Sequence, residues 1–328
     1  MNVTQRNTTV DFARLVAAFG VIALHVKSTT ASAEIYNTFF WPLCVPFFYV
    51  ASLTYFISGV KSISIPKQYR KIAKRIVVPY LAWTLIYLSL FLTKGFITGN
   101  YNDFVWWRIL FYGESAVQLY FISTLIFLQA FALSIYLLLQ QQTPSRVMGV
   151  FLLILSIGYL LIGDINNCFG VAATGQVLGI LLYTSAAFYL APKISQMTNR
   201  PTLAILGLLL LLFAVGSNFL GYKYEIAGYS LVLPIGGIGL FFFVVGFPGL
   251  KLSARLVALT SASFGIYFSH IVFLEAFEFL IEKGFHGQLV YGFWLKTGVT
   301  LAVFSCSLLL VVLIRKIPVA RKILLGER

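Results

Sequence analysis

Long apolar segments recur along this chain, and each has about the length that a helix needs to cross a bilayer. A transmembrane helix requires about 20 predominantly apolar residues. About ten segments meet this requirement, at residues 10–30, 38–60, 76–94, 115–139, 147–163, 171–191, 202–221, 229–247, 258–281 and 293–314. The sequence therefore predicts an all-α polytopic membrane protein with about ten transmembrane helices.

The charge distribution indicates how these helices are oriented. The formal net charge is +14, but the cations lie in short segments between apolar runs, which is typical of membrane topology and not of a nucleic-acid interface. One set of connecting segments carries most of them: Lys61, Lys67, Arg70, Lys71, Lys74, Arg75, Arg146, Lys193, Arg200, Lys251, Arg255, Arg315, Lys316, Arg321, Lys322 and Arg328. Because basic loops stay on the cytoplasmic side, both termini are predicted to be cytoplasmic.

The segments between the predicted helices are short. None is long enough to fold alone, so residues 1–328 are predicted to form a single integral membrane domain. Residues 102–112 (NDFVWWRILFY) are too few to span a bilayer, and we expect an interfacial helix in the outer headgroup layer. Cys44, Cys168 and Cys306 are far apart, which predicts neither a metal site nor a disulfide framework.

The first predicted helix carries Asp11, Arg14 and His25 among apolar residues. Arg14 and His25 share one face of a helix and stand roughly 16 Å apart along its axis, while Asp11 is within i,i+3 reach of Arg14. Thr8, three residues before Asp11, resembles the N-cap of a capping box. Ionisable groups inside a membrane mark functional sites. The alternatives are that Arg14 snorkels to the headgroups and that His25 is a structural histidine.

A second intramembrane histidine, His270, lies in the ninth predicted helix. It stands roughly 18 Å from the start of that helix near Ala258, a depth similar to that of His25. Ser263 and Tyr267 share its face. Two histidines at matching depth on parallel helices predict one intramembrane site, and two unrelated packing histidines are the alternative.

A cluster of cations precedes the third predicted helix. Its members are Lys67, Arg70, Lys71, Lys74 and Arg75. Because basic side chains, and arginine forks above all, match phosphate oxygens, this segment predicts a binding site for a phosphorylated cytosolic ligand. Ordinary positive-inside bias is the alternative.

Together these residues resemble acyltransferase family 3, a family of integral membrane O-acyltransferases, over nearly the whole chain. The R-x10-H motif of that family is similar to Arg14 and His25, its R-[IL]-x-x-P-[YF] motif to residues 75–80, and its S-x-G-I-Y-x-x-H motif to residues 263–270. The chain also departs from the family pattern. In the P-x-F-F-x-x-S-G motif, which residues 46–52 match, Leu53 replaces the final glycine.

A further motif of the family, H-L-W-[FY]-L, is present only as QLYFI. Gln118 stands where the family has histidine, so we do not assign the family's role to it. Some members of the family also carry a C-terminal SGNH hydrolase-like domain, and none is expected in this chain.

The resemblance implies transfer of an acyl group, most often acetyl from acetyl-CoA, to a sugar hydroxyl of a surface polysaccharide or its lipid-linked precursor. Acyl-CoA is then a co-substrate, with no permanently bound cofactor and no metal. The expected location is the bacterial cytoplasmic (inner) membrane. A histidine with an ordinary pKa near 6.5 is a suitable general base for the attacking hydroxyl, and His25 is expected in that role, with an acyl-histidine as the alternative.

The resemblance also suggests roles for the other polar residues. Arg14, held by Asp11, is expected to position the CoA phosphates or pantetheine, and His270 to orient the acceptor or the thioester carbonyl. The expected nucleotide-binding residues are Arg70, Lys71, Lys74 and Arg75. Two competing functions remain open: a transporter or flippase of a lipid-linked sugar or small anion, and a structural subunit of a glycan-export complex.

Overall fold

The protein is built almost entirely of helices. The structure, a computed structural model, describes residues 7–60, 64–98, 105–138, 147, 149–150, 152–154, 173–226, 229–247, 249–284 and 290–327. The helices are α1 (Thr8–His25), α2 (Ala31–Phe40), α3 (Cys44–Val60), α4 (Ile65–Ile72), α5 (Val78–Thr98), α6 (Trp106–Tyr112), α7 (Leu119–Leu138), α8 (Ala173–Leu190), α9 (Ile194–Met197), α10 (Pro201–Phe219), α11 (Val232–Gly246), α12 (Ala254–Thr260), α13 (Ser263–Gly284), α14 (Phe293–Arg315) and α15 (Pro318–Leu324). A small antiparallel hairpin pairs β1 (Glu225–Ile226) with β2 (Tyr229–Ser230).

Within the described residues, seven helical segments are long and apolar enough to cross a membrane. They are Thr8–His25, Ala31–Val60, Pro66–Phe96, Leu119–Leu137, Pro201–Phe219, Ser263–Ile281 and Phe293–Arg315. The prediction of an all-α polytopic membrane protein is therefore confirmed. The predicted span 147–163 lies largely outside the described residues, and the count of about ten stays a prediction.

Several helix boundaries differ from those predicted, each for a local reason. The first helix ends at His25 and not at residue 30, because Thr30 begins the next helix by accepting a hydrogen bond from the Ala33 N–H at its Oγ1 (3.2 Å). The predicted span 38–60 is divided between α2 and α3. Pro42 lies in the break, and proline cannot continue a helix because it lacks an N–H and clashes with the preceding turn.

The position of helix α6 differs from the one predicted from the sequence. The Tyr80 hydroxyl, in the first turn of α5, donates to the carbonyl oxygens of Ile109 (3.1 Å) and Leu110 (2.9 Å). Helix α6 therefore packs near the start of α5, the end next to the basic segment. The expectation that it lies at the opposite end of α5 is wrong, and its position in a headgroup layer stays a prediction. Tertiary hydrogen bonds to tyrosine decide this position, and the sequence pattern does not reveal them.

The helices form two compact units, and the first comprises Met1–Val21, Ile35–Ser64 and Leu128–Thr260. In this unit α11 packs closely against α3 and α10 through glycines. A Cβ at Gly237 would collide with Pro46 of α3, and one at Gly207 would collide with the backbone of Gly239 and Phe243. Small residues at these positions are what allow the helix backbones to approach so closely.

The second unit comprises Ile22–Glu34, Ile65–Phe127 and Ser261–Arg328. Here α13 packs against α14, and the C-terminal helix α15 packs against α5. The Trp83 indole N–H donates to the Leu324 carbonyl (3.0 Å). Arg315 binds Glu327 (Nη2–Oε1 2.6 Å) and donates to the Ser261 hydroxyl (2.8 Å), which fixes the chain end beside the start of α13.

The close contact at Gly207 gives a direct test of helix packing in the first unit. Gly207→Ala should lower the melting temperature in detergent, because overpacking a tight contact costs about 1–3 kcal/mol. Gly216→Ala on the same helix is the matched control: no atom lies within 4 Å of its added Cβ. It should be neutral or slightly stabilising, since alanine is favoured over glycine in helices by about 1 kcal/mol. Equal melting temperatures for the two variants would contradict this packing.

Candidate active site

His270 is held in one orientation by the backbone of its own helix. The side chain is fully buried in α13, and its Nδ1 lies 2.7 Å from the carbonyl oxygen of Tyr267. A carbonyl oxygen only accepts, so Nδ1 carries the hydrogen and donates it. In the neutral ring Nε2 is then an acceptor. Nε2 is buried and has no hydrogen-bond partner among the described residues.

His25 faces His270 within the second unit. It is the last residue of α1 and is half-buried, and the centroids of the two imidazole rings are 5.4 Å apart with an angle of 34° between the ring planes. The proximity predicted from their depths is therefore present. Within the described part of the chain, no hydrogen bond engages the His25 ring. Its nitrogen atoms are thus not committed to a structural bond.

A hydrogen-bond network surrounds this turn of α13. The Tyr267 hydroxyl donates to the Gln118 carbonyl (2.8 Å), and the Gln118 amide donates to the Phe268 carbonyl (3.3 Å). The Tyr87 hydroxyl of α5 donates to the same Phe268 oxygen (2.6 Å). Gln118 is fully buried, and its Oε1 has no partner among the described residues. Residues of α5, α7's N-terminal end and α13 therefore meet at the backbone that carries His270.

Three polar residues of this unit were not predicted as site residues. Gln118 was set aside because it departs from the family motif, and that departure was itself the signal that this position is special. Lys296 is a fully buried charge in α14, and a lysine inside a predicted span is a visible sequence signal for function. Tyr87 is one tyrosine among 18, and nothing in the sequence distinguishes it.

Asp11 and Arg14 form the predicted ion pair in the first unit. Arg14 Nη1 lies 3.4 Å from Asp11 Oδ1, and the guanidinium also lies over the Tyr55 ring, 5.7 Å from its centroid. The predicted capping by Thr8 is wrong. The Asn7 side chain caps α1 by accepting from the Thr9 and Val10 N–H groups (3.0 and 3.2 Å), and the Thr8 hydroxyl donates instead to a carbonyl.

The predicted phosphate-binding cations lie at the start of α5. Arg70 and Lys71 are in the last turn of α4, and Lys74 and Arg75 are in a π-helical turn (Ala73–Val77). Proline at position 79 explains that turn, because a proline ring would clash with the carbonyl four residues earlier in a regular helix. Arg70, Lys74 and Arg75 are exposed, Lys71 is partly buried, and among the described residues no acidic side chain pairs with the three exposed ones.

These cations are connected to the histidine pair through the chain end. A Cβ at Gly326 would collide with the Arg75 backbone, and the neighbouring Leu325 contacts Gly265 of α13. Gly265 is five residues, or about 7.5 Å, before His270 along the helix. Within the second unit, the basic segment therefore lies near the end of α13 from which His270 is reached in less than two turns.

The described helices define an integral membrane protein, and two histidines lie side by side within its second unit. Within the described residues, no group of three or more His, Cys, Asp or Glu side chains could hold a metal ion. The sequence matches the model of an acyltransferase domain, that of acyltransferase family 3, over residues 7–316. The chain therefore belongs to acyltransferase family 3 and is a membrane acyltransferase. Searches of curated proteins and of solved structures found no match.

The distance between the two histidine rings can be tested by cross-linking. In a background with the native cysteines replaced by alanine, His25→Cys combined with His270→Cys should give an intramolecular cross-link with a short bifunctional thiol reagent. Mass spectrometry of the digested protein identifies the linked peptides. Each single-cysteine variant is the control and should give no link. Failure of the double variant to cross-link, with both thiols shown to be reactive, would contradict the observed proximity.

Proposed function

We propose that this acyltransferase moves an acyl group from cytosolic acyl-CoA to a sugar hydroxyl of a surface polysaccharide or its lipid-linked precursor. Acetyl is the acyl group that we propose. His25 is the general base. The observation that carries this proposal is the proximity of His25 and His270 (5.4 Å between ring centroids) in a chain of the acyltransferase family.

The chemistry requires one proton transfer at the reacting centre. The acceptor hydroxyl gives its proton to His25 as its oxygen bonds to the thioester carbonyl carbon. The carbon–sulfur bond then breaks, and the leaving CoA sulfur takes the proton from the His25 imidazolium. A positioned general base contributes about 10²–10⁴-fold to such a reaction. The half-buried and uncommitted ring of His25 suits it to this role.

The orientation of His270 favours one of the two roles expected for it. A neutral His270 with its Nδ1 hydrogen donated to Tyr267 offers only a lone pair at Nε2. Such a ring accepts a hydrogen bond from a hydroxyl but cannot donate one to a thioester carbonyl. His270 therefore orients the acceptor, by accepting from a second hydroxyl of the same sugar.

The position of the basic segment supports binding of acyl-CoA. Arg70, Lys71, Lys74 and Arg75 would bind the nucleotide phosphates. Among the described residues no acidic side chain pairs with Arg70, Lys74 or Arg75, so these three exposed cations are available to a phosphorylated ligand. The contacts from Arg75 through the chain end to α13 place this segment near the start of the helix that carries His270. Arg14, paired with Asp11, would contact the CoA phosphates or pantetheine.

The topology proposed from the basic loops has about ten helices, two cytoplasmic termini and one domain over residues 1–328 in a bacterial cytoplasmic membrane. The packing of the C-terminal segment against the Arg75 backbone supports this arrangement. Both segments are rich in lysine and arginine, and the positive-inside rule puts such segments on the cytoplasmic side. Helix α15 and the cations of residues 70–75 are neighbours, as expected for two segments on the same side of the membrane.

His25→Ala tests the base directly. Release of free CoA from radiolabelled acetyl-CoA, with extracted lipid-linked sugars as acceptors, should fall by about 10²–10⁴-fold. Acetyl-CoA affinity and melting temperature should be unchanged, since the ring makes no structural hydrogen bond in the described residues. Val16→Ala, at an exposed site on the same helix, is the control. Full activity of His25→Ala would overturn the assignment, and absence of acyl-CoA binding by folded wild-type protein would favour the transporter.

Arg75→Ala tests the phosphate site. Loss of charge-assisted hydrogen bonds, each about 1.5–3 kcal/mol, should weaken acetyl-CoA binding by roughly 10- to 100-fold with little change in turnover at saturation. Lys251→Ala is the matched control, because this exposed lysine belongs to a different basic connecting segment on the predicted cytoplasmic side. Equal acetyl-CoA affinities for the two variants, measured by equilibrium binding, would show that the basic segment only sets membrane topology.

A further inference from the structure

Residues 27–29, which follow the end of α1 at His25 after Val26, are each bonded to another part of the second unit. Lys27 Nζ lies 3.3 Å from Glu278 Oε2, and the Thr29 N–H donates to the Tyr291 carbonyl at 3.2 Å. Between them, Lys296 Nζ donates to the Ser28 hydroxyl at 2.6 Å. We refer to residues 27–29 as the strap. It connects the end of α1 to both α13 and α14.

The contact between Lys296 and Ser28 is the buried one of the three. Lys296 has no exposed surface, whereas Lys27 in the ion pair with Glu278 is half-exposed (49%). Exposed ion pairs contribute little to stability, but a buried ammonium is costly unless it is well partnered. The Glu34 carboxylate lies close enough to interact electrostatically with Lys296. The strap is thus fixed mainly by a buried charge that the proposed chemistry does not use.

The strap limits where the His25 ring can lie. On its N-terminal side His25 is held by α1. On its C-terminal side the strap begins two residues later. Glu278, which binds Lys27, is on the helix that carries His270, eight residues or about 12 Å farther along. A strap tied to α13 and α14 therefore holds His25 at a fixed distance from His270.

We infer that Lys296, through Ser28, is a positioning residue that holds His25 against His270 for proton transfer. This inference rests on the proposed function. Loss of the Lys296–Ser28 hydrogen bond loosens the middle of the strap, and a displacement of about 1 Å at a reacting group costs roughly a hundredfold in rate. The chemistry alone is affected, because neither residue is placed where acyl-CoA binds.

Lys296→Met and Ser28→Ala, alone and combined, test the inference. Each single variant should lower kcat for CoA release by roughly 10- to 100-fold, with KM and acetyl-CoA affinity unchanged within about twofold. The double variant should lose no more than the more affected single variant, because both remove the same hydrogen bond. Ser28→Thr keeps the hydroxyl and should restore kcat, while Lys27→Met, which breaks the exposed ion pair, should change kcat by less than about twofold.

A readout independent of activity separates positioning from general destabilisation. In the His25→Cys/His270→Cys background, adding Lys296→Met should reduce the cross-linking yield, and adding Lys27→Met should not. If Lys296→Met does not fold, Ser28→Ala and Ser28→Thr carry the same comparison. Wild-type kcat in the single variants, additive losses in the double variant, or an unchanged cross-linking yield would each overturn the inference alone. A wild-type protein that releases no CoA would overturn the proposed function, and the inference with it.

Discussion

The hydrogen bonds that converge on one turn of α13 are the constraint on which the candidate site depends. Donors from two other segments, Tyr87 and Gln118, both reach the carbonyl of Phe268, and Tyr267 returns a hydrogen bond to the Gln118 backbone. Inside a membrane no water competes for these groups, so each bond must be made within the protein. The turn that carries His270 is therefore held by two other segments, which fixes the ring before any substrate binds.

The same network leaves two buried acceptor atoms unpartnered among the described residues. His270 Nε2 and Gln118 Oε1 are both buried, and neither has a partner among the described residues. A buried acceptor left without a donor costs about 1–3 kcal/mol, and a ligand rich in hydroxyl groups would recover that free energy. A sugar is such a ligand. The polarity of the unpartnered atoms thus agrees with a hydroxyl acceptor better than with an anionic cargo, which two more acceptors would repel.

Periodicity and depth were sufficient to predict the helices and the meeting of His25 with His270, because hydrophobic length and 3.6-residue geometry are local properties. Features that depend on tertiary partners were not predictable in the same way. The packing of α6 beside Tyr80 and the burial of Gln118 follow from contacts far apart in the sequence. Lys296 is intermediate: the charge within a span is visible in the sequence, but its partner Ser28 is 268 residues away.

The two ends of α13 contact different parts of the second unit. Near its start, Gly265 contacts the chain end that packs against Arg75, so this end adjoins the cations proposed to hold the acyl donor. Near its other end, Glu278 binds the strap that follows His25. His270 lies between them on the same rigid helix. Because a helix is rigid along its axis, the proposed donor site, His25 and His270 keep fixed positions relative to one another. Displacement of the start of α13 is therefore expected to move His270, even though that end does not touch the reacting atoms.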